Sequence, residues 1–419
     1  MIKSFLTENI NELIAKALYF ASRYDYFVYL NPNNHNALHG GFPHILAIGA
    51  KDSCSASSDS WEKLSQKLKH DNWFGFLGYD LKNFFHQDLD SNNPSTITTD
   101  DFFFFKPEII IRFHQKEISV QATDADKTLF EIQRETVKAV ASTSDSLDWK
   151  ALISKHDYVQ NVNFIKDLIR EGEFYEMNYC QSYEASGQIE PVESYLRLNH
   201  QSPMPFSSLM KIKNQWVICA SPERFLKRTR AQLIAQPIKG TIKSSGDPEE
   251  DECLKLALKN SEKEKAENLM IVDLMRNDLS QSCIPGSIKV DELWGIYTYG
   301  NLHQMISTVS GSIKEGSDNL EIIKKAFPMG SMTGAPKRRV MEWIEKLENF
   351  KRGIFSGSIG YFHQNGDFDF NVVIRSVFYD ETMGKLYYAV GSAITLDSDA
   401  NQEYEECLLK AEMIKKVIS

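Results

Sequence analysis

The stretch Gln236-Pro237-Ile238-Lys239-Gly240-Thr241 follows a strand-like run at residues 231–235, and the rest of the chain is interpreted around it. Proline fixes the backbone before Lys239 and glycine frees it afterwards, so the pattern predicts a lysine held on a stiff turn. A nucleophilic lysine must be partly neutral near pH 7. Lowering its pKa from about 10.4 to about 8 takes roughly 3 kcal/mol, part of which a buried strand end beside Ile238 could supply. A lone lysine is more often a solvated surface charge, and the hexapeptide by itself leaves that alternative open.

Composition narrows the class of protein. The chain has 419 residues, 42% of them hydrophobic, and a formal net charge of -10. An acidic chain is a poor match for nucleic acid or for an anionic membrane surface, so neither is an expected partner. No apolar run reaches the roughly 18 residues of a membrane span. The six cysteines form no CxxC pair, and the first 20 residues lack a signal-peptide core, so the expected location is the cytoplasm.

The order of predicted elements indicates the fold class. Residues 1–145 are interpreted as an N-terminal region packed on a catalytic domain at residues 146–419. Trp73–Asp80 has the pattern of a buried strand with glycines where backbones approach closely. In the second region strands occur in adjacent runs as well as between helices, as in the hairpin predicted at residues 207–220. This mixture predicts an α+β domain rather than an alternating parallel sheet.

Two pairs of glutamates occur at the same helical spacing. Glu264 and Glu267 are three residues apart at the start of one predicted helix, and Glu403 and Glu406 repeat the spacing on the last helix. Three steps of about 100° leave the members of a pair roughly 60° apart, on one face. Carboxylates without nearby histidine or cysteine favour Mg²⁺ over zinc. A solvated helix face remains the alternative for either pair.

Two further charged residues have positions that suit chemistry. Glu223 lies in a proline-fixed turn 16 residues before Lys239, and a hairpin would bring both to the same end of a sheet. A carboxyl group kept protonated by an apolar pocket would serve as a general acid, although a turn cap or a partner for Arg224 is equally consistent. Arg375 follows a predicted strand and could bind a substrate carboxylate or an acidic neighbour.

Together and in this order, these motifs resemble the chorismate-utilising enzyme family over residues 158–419. The segments that carry the resemblance are Ser221-Pro222-Glu223, Pro237 to Thr241, Glu264 to Asp278, Gly334-Ala335-Pro336-Lys337, Gly357 to Tyr361, Ile374-Arg375-Ser376 and Glu403 to Glu406. The resemblance implies an anthranilate synthase component I-like fold, a sandwich of antiparallel β-sheets covered by helices. Its active site is expected in a cleft between the sheet ends.

The resemblance also implies roles for individual residues. Lysine at position 239 is the choice of the family's aminodeoxychorismate synthases, in which it adds to C2 of chorismate as the C4 hydroxyl leaves. Glu223 would protonate that hydroxyl. Glu267 and Glu406 would hold Mg²⁺ against the ring carboxylate, with Glu264 and Glu403 behind them. The positions at which the family contacts chorismate or supports the site are Gly240, Thr241, Tyr361, Arg375, Gly391, Ser392 and Lys410.

At two positions the chain departs from the family's pattern. The family's water-adding members have a lysine at position 176 and its ammonia users usually have glutamine, whereas this chain has Glu176. We interpret Glu176 as a substrate-site residue and hypothesise that it admits or orients ammonia. A family histidine implicated in pyruvate elimination falls at Gln304, which favours an enzyme that stops before elimination.

The expected activity is therefore conversion of chorismate and ammonia to 4-amino-4-deoxychorismate, on the route to 4-aminobenzoate and folate. The ammonia is expected from a separate glutamine amidotransferase subunit. The alternative enzyme is an anthranilate synthase component I. The non-enzyme alternative is an inactive chorismate-binding scaffold, which would have no need of Lys239, Glu223 and all four glutamates.

Overall fold

The structure, a computed structural model, describes residues 2–35, 38–89, 92–137 and 147–418. Among these residues, no helix has both the length and the apolar character needed to cross a membrane. The strands are β1 (Ile2–Leu6), β2 (Tyr26–Asn31), β3 (Ile45–Ile48), β4 (Asp52–Ser55), β5 (Trp73–Leu77), β6 (Phe102–Lys106), β7 (Ile109–Phe113), β8 (Glu117–Gln121), β9 (Lys150–Ala151), β10 (Glu176–Ser186), β11 (Phe206–Ile212), β12 (Gln215–Ser221), β13 (Arg224–Thr229), β14 (Gln232–Gln236), β15 (Ile238–Lys243), β16 (Lys289–Tyr299), β17 (Leu302–Ser312), β18 (Gly334–Ala335), β19 (Ser358–Phe362), β20 (Phe368–Asn371), β21 (Ser376–Asp380) and β22 (Lys385–Ile394). The α-helices are α1 (Ile10–Ala21), α2 (Trp61–Lys67), α3 (Lys82–Phe85), α4 (Ala125–Gln133), α5 (Lys155–Arg170), α6 (Pro191–Gln201), α7 (Pro248–Asn260), α8 (Glu262–Ser280), α9 (Asn319–Ala326), α10 (Lys337–Leu347) and α11 (Ala400–Ile418).

These strands form two large sheets. The first has the order β1-β8-β7-β3-β2-β11-β12-β21-β22-β10-β18, with β9 beside β10. The second has the order β15-β17-β14-β13-β20-β19-β5-β6-β4, with β16 beside β17. All pairings between described strands are antiparallel. The prediction of an α+β fold built on antiparallel sheets is confirmed.

The first and second halves of the chain contribute to both sheets. Strand β2 pairs with β11 in the first sheet, and β5 pairs with β19 in the second. The predicted boundary between residues 145 and 146 lies outside the described residues and stays a prediction.

Two apolar layers hold the sheets in place. Along β12, Val217 and Cys219 point into the layer between the two sheets, whereas Trp216 and Ile218 point into the layer beneath helices such as α5, α6 and α11. Alternate residues of a strand point to opposite faces, so β12 is apolar on both. The first sheet is consequently buried on both sides along this strand, as in a sandwich covered by helices.

Close backbone packing explains a glycine at the centre of β5. A Cβ atom at Gly75 would lie 1.9 Å from the carbonyl oxygen of Phe103 on β6. Only glycine leaves room for a contact this short, which agrees with the glycines predicted in this strand.

A buried ion pair fixes the second sheet beside the lysine segment. The Arg224 guanidinium donates through Nε to Asp369 Oδ1 at 2.9 Å and through Nη2 to Asp369 Oδ2 at 3.0 Å, joining β13 to β20. It also donates to the carbonyl oxygen of Gly40 at 2.9 Å. Both charged side chains are fully buried. Such a pair is costly to break, because removing one partner leaves the other charge buried and uncompensated.

We therefore expect Asp369→Asn to lower the free energy of unfolding by about 3–5 kcal/mol, measured by urea denaturation. The matched control is Asp273→Asn, which removes the same chemistry from the exposed pair formed by Asp273 and Arg276 at 2.8 Å. That change is expected to cost less than about 1 kcal/mol. Equal losses in the two variants would contradict the importance of burial here.

Candidate active site

Lys239 lies on a strand rather than on a turn, so this part of the sequence prediction is wrong. Pro237, which has no N–H to donate, separates β14 from β15, and Lys239 is the second residue of β15. The register against β17 shifts between Ile238 and Thr241, where Gly240 has a φ of +86°. A glycine with positive φ at a register shift is typical of a β-bulge, which re-aims neighbouring side chains. The bulge therefore sets the direction of Lys239.

Lys239 forms an ion pair with Glu176. Its Nζ donates to Glu176 Oε1 at 2.7 Å, and the two side chains are 11% and 1% exposed. Glu176 is the first residue of β10 in the first sheet, whereas Lys239 lies on the edge strand of the second sheet. The contact therefore joins the ends of the two sheets. The other oxygen, Oε2, is buried and has no hydrogen-bond partner among the described residues.

The balance of charge around Lys239 favours its protonated form. Burial lowers the pKa of the ammonium group, but the carboxylates of Glu176, Glu267 and Glu223 together outweigh burial and raise the pKa above its ordinary value. The expectation that burial at the strand end would make the lysine partly neutral is not met in this structure. The reason is the neighbouring carboxylate at hydrogen-bond distance.

Glu223 lies where the chain passes from β12 in the first sheet to β13 in the second. Because Arg224 is opposite Gln236 in the antiparallel pair of β13 and β14, Glu223 comes beside the start of β15. The hairpin predicted to bring Glu223 and Lys239 together is thus present. Burial raises the pKa of the Glu223 carboxyl group to about 7, although hydrogen bonds from Ser331 and from the backbone N–H of Ile238 oppose the shift.

Arg375 lies at the return crossover, where the chain passes from β20 in the second sheet to β21 in the first. The two crossovers are bonded to each other, because Val372 N donates to the carbonyl oxygen of Glu223 and Ala220 N donates to that of Arg375. Burial lowers the pKa of the Arg375 guanidinium to about 10, and Glu223 opposes this effect. Arg375 makes no ion pair with any carboxylate of the described chain, so its charge is available to an anionic ligand.

The four predicted metal-binding glutamates lie on α8 and α11 with their charges coupled. Burial raises the pKa of Glu264, and the charges of Glu406 and Glu403 contribute to the same shift. Burial also raises the pKa of Glu267 to about 7. The charge of Glu264 contributes to the shift at Glu267, whereas the pKa of Glu406 is lowered because lysines, chiefly Lys410, outweigh burial there. The crowded negative charges at Glu264 and Glu267 are ones that a divalent cation would relieve.

Two lysines partly neutralise these glutamates in the structure. Lys410 Nζ lies 2.7 Å from Glu406 Oε1, and Lys263 Nζ lies 3.9 Å from Glu267 Oε1. Within the described residues, no three histidine, cysteine, aspartate or glutamate side chains converge into a metal site. The donor set is all carboxylate, which fits Mg²⁺ by chemistry, and metal binding here stays a prediction.

The other residues predicted to contact the substrate lie on different elements and differ in exposure. Lys410 Nζ donates to the carbonyl oxygen of Gly391 on β22 at 2.9 Å, and the hydroxyl groups of Ser392 and Tyr158 are 3.3 Å apart. Thr241 is exposed on β15. Tyr361 stacks on Phe74 within the second sheet, and no described contact joins it to Lys239. Roles in substrate binding stay predictions for these residues.

Sequence reasoning did not single out two groups in this site. Ser331 donates to Glu223, and Lys263 pairs with Glu267. Lys263 directly precedes Glu264, so its place on the same helix could have been noticed. Ser331 is brought to Glu223 only by the fold.

Gln304 is fully buried opposite Thr241, and neither of its side-chain polar atoms has a hydrogen-bond partner in the part of the chain described.

Comparison with known proteins adds independent evidence. A family model described as chorismate binding enzyme matches residues 19–416. The chain is 37% identical over 391 residues to a protein of Oryza sativa subsp. japonica named probable aminodeoxychorismate synthase, chloroplastic, covering 83% of this chain and 43% of that protein. It is 33% identical over 363 residues to aminodeoxychorismate synthase component 1 of Bacillus subtilis (strain 168), covering 82% and 76%. The chain thus spans less than half of the rice relative.

Solved structures agree with the fold. Anthranilate synthase component I from Streptococcus pneumoniae TIGR4 superposes with a TM-score of 0.78 at 25% identity, covering 91% of this chain and 93% of that one. The menaquinone-specific isochorismate synthase of Escherichia coli gives the same TM-score at 14% identity, covering 100% and 94%. The predicted anthranilate synthase component I-like fold is confirmed.

Proposed function

Because the chain belongs to the chorismate binding enzyme family, we propose that it converts chorismate and ammonia to 4-amino-4-deoxychorismate. The rice relative is named probable aminodeoxychorismate synthase, and the Bacillus subtilis relative is named aminodeoxychorismate synthase component 1. The observation that carries the proposal is the buried lysine at position 239, which lies between the carboxyl groups of Glu176 and Glu223. A family member that only bound chorismate would have no use for a nucleophile held among acids and bases.

In the proposed reaction, the neutral amine of Lys239 attacks C2 of chorismate. The electron pairs of both ring double bonds shift, from C1=C2 to C1=C6 and from C5=C6 to C4=C5, and the C4 hydroxyl leaves as water with a proton from Glu223. Ammonia then attacks C4, both double bonds shift back, and Lys239 departs as an amine. The product ammonium group returns a proton to Glu223. A carboxyl group with a pKa near 7 suits an acid that must be both charged and neutral in one cycle.

Charged residues around the lysine would bind the substrate. Arg375 would pair with a carboxylate of chorismate, since its own charge is not used by a described acidic side chain. Glu267 and Glu406 would hold Mg²⁺, with Glu264 and Glu403 behind them. When bound, Mg²⁺ would neutralise the ring carboxylate and keep it beside Lys239.

The name component 1 of the Bacillus subtilis relative suggests a second subunit for that protein. For this chain we propose a separate glutamine amidotransferase that supplies ammonia, and a place on the route to 4-aminobenzoate. Anthranilate synthesis is the alternative suggested by the fold. Glutamine instead of histidine at position 304 favours an enzyme that retains the pyruvyl group.

Intact-mass measurement tests the covalent step. With chorismate and Mg²⁺ but no ammonia, we expect the protein to gain the mass of chorismate less one water. Lys239→Ala is expected to show no gain, because the nucleophile is absent. Lys243→Ala, on the exposed end of the same strand, is the matched control and is expected to behave as the parent. An adduct of equal yield on Lys239→Ala would contradict the assigned nucleophile.

Chromatography of the same reactions with ammonium distinguishes the two activities. We expect 4-aminobenzoate only after an aminodeoxychorismate lyase is added, because this chain has no step that removes pyruvate. Release of anthranilate without a lyase would establish the alternative.

The role of Glu223 predicts a pH dependence. Its carboxyl group holds a proton below its pKa of about 7 and loses it above. The rate of adduct formation is therefore expected to fall as the pH rises through about 7. Glu223→Gln should be slower by about 10²–10⁴-fold and should lack this alkaline limb, while Glu223→Asp should retain a limb. An unchanged limb in Glu223→Gln would assign the titration to another group.

Metal binding is tested on α8. Glu267→Gln is expected to raise the Mg²⁺ dissociation constant at least about tenfold, measured calorimetrically with chorismate present, because a charged oxygen ligand is lost. Glu262→Gln makes the same chemical change at an exposed position of the same helix and should leave the constant within about twofold. Equal constants for both variants would remove Glu267 from the metal site.

A further inference from the structure

The proposed reaction requires Lys239 to lose a proton before it can attack carbon. The nitrogen lone pair is free only in the neutral amine, whereas the surrounding carboxylates favour the ammonium form. Bulk water is a poor acceptor for this proton, since the side chain is only 11% exposed. A base within the site is therefore needed, and three carboxyl groups face the lysine from three elements: Glu176 on β10, Glu267 on α8, and Glu223 in the β12–β13 crossover.

We propose that Glu176 is the base that takes the proton from Lys239 and holds it while the lysine is bonded to the substrate. This inference rests on the proposed function. The supporting geometry is the hydrogen bond of 2.7 Å between Lys239 Nζ and Glu176 Oε1. Glu223 cannot take this role, because it must already be protonated to assist departure of the C4 hydroxyl. Glu267 has no described hydrogen bond to the lysine and is assigned to the metal.

The backbone around Glu176 holds the acceptor in place. Glu176 pairs with Ala335 and Met177 with Gly334, so the start of β10 is bonded to the two-residue strand β18. A Cβ atom at Gly334 would lie 2.1 Å from the carbonyl oxygen of Glu176, so the two strands approach too closely for any other residue there. A glutamate on a fixed strand end, buried on all sides, keeps its carboxylate at one position relative to Lys239.

The proton transfer balances without any further reactant. One Nζ–H bond of Lys239 breaks, an O–H bond forms on Glu176, and the electron pair left on nitrogen makes the bond to C2. Two opposite charges become two neutral groups, a change that a site poor in water favours more than solution does. When ammonia later displaces the lysine, the released amine recovers its proton from Glu176. The enzyme thus returns to the ion pair seen in the structure.

This role differs from the hypothesis that Glu176 orients ammonia, and the first half of the reaction separates the two. Adduct formation needs chorismate but no ammonia. A defect seen without ammonia therefore cannot arise from ammonia handling. The buried and unpartnered Oε2 remains available to ammonia in the second half, so both roles are compatible with one carboxylate.

The test measures the rate of adduct formation by rapid quenching and intact mass, with chorismate and Mg²⁺ and without ammonia. Glu176→Gln keeps the shape of the side chain but cannot accept the proton, so we expect a rate about 10²-fold or more below that of the parent. Chorismate affinity, measured by calorimetry, should change less than about threefold. Glu176→Asp should recover part of the rate. Glu184→Gln, the same change eight residues along β10, is the matched control and should react as the parent.

The pH dependence of the defect distinguishes a base from a structural support. Hydroxide can replace a missing base, so the ratio of parent to Glu176→Gln rates should shrink steadily from pH 7 to pH 9.5. Titration of Glu223 lowers the rates of the parent and of Glu176→Gln by the same factor, so it does not change the ratio of the two rates. A ratio that is constant over this range, or a variant as fast as the parent, would overturn the role of Glu176 while leaving the lysine adduct established. If the parent itself formed no adduct, the proposed function would fail, and this inference with it.

Discussion

The contact between Lys239 and Glu176 depends on where the two sheets end. Lys239 lies on the edge strand of one sheet, and Glu176 begins the strand next to the end of the other. The apolar layer between the sheets and the crossovers that join them set the distance from one to the other. Two charges this deeply buried would each be strongly destabilising alone, so each holds the other in place. The lysine and the glutamate are for this reason one structural unit.

The other charged groups of the site lie at the crossovers between the sheets. Glu223 lies in the crossover from the first sheet to the second, and Arg375 lies in the crossover that returns to the first. Backbone hydrogen bonds join the two crossovers, so the main chain fixes the positions of Glu223 and Arg375. The charge of Lys239 acts on Glu267 of α8 and on Glu406 of α11, so both helices reach the same region. A site between sheet ends thus draws residues from segments more than 200 positions apart in sequence.

The sequence was sufficient for most local structure and for the fold class. The buried strand at Trp73, the hairpin at residues 207–220 and the two glutamate-bearing helices follow from the hydrophobic period, the turn residues and the residue spacing, which are local properties. The position of Lys239 was predicted less well, because Pro237 marks a break between two strands and not a turn. A residue between a proline and a glycine can lie on a turn or on a strand. Pairing with β17 places Lys239 on a strand.

The direction of the pKa shift at Lys239 was beyond local reasoning altogether. Burial and Ile238 suggested a lowered pKa, but the carboxylates of Glu176, Glu267 and Glu223 together outweigh burial, and the nearest of them, Glu176, is 63 residues earlier in the chain. Sequence did identify Glu176 as unusual, although not as a neighbour of the lysine. Tyr361 stacks on Phe74, and its role in substrate binding, which its motif suggested, stays a prediction.

Two buried carboxyl groups near one amine can have opposite tasks only if their surroundings differ. At Glu223, burial outweighs the hydrogen bonds from a hydroxyl group and a backbone N–H and the charges of Lys239 and Arg375, so its pKa is raised to about 7. Glu176 accepts a hydrogen bond from the ammonium group of Lys239 at 2.7 Å, which places its carboxylate where it can receive the proton. The acid and the base that we propose therefore lie beside the same lysine. Their difference arises from the fold, because Lys239, beside the bulge at Gly240, reaches from the second sheet to Glu176 in the first.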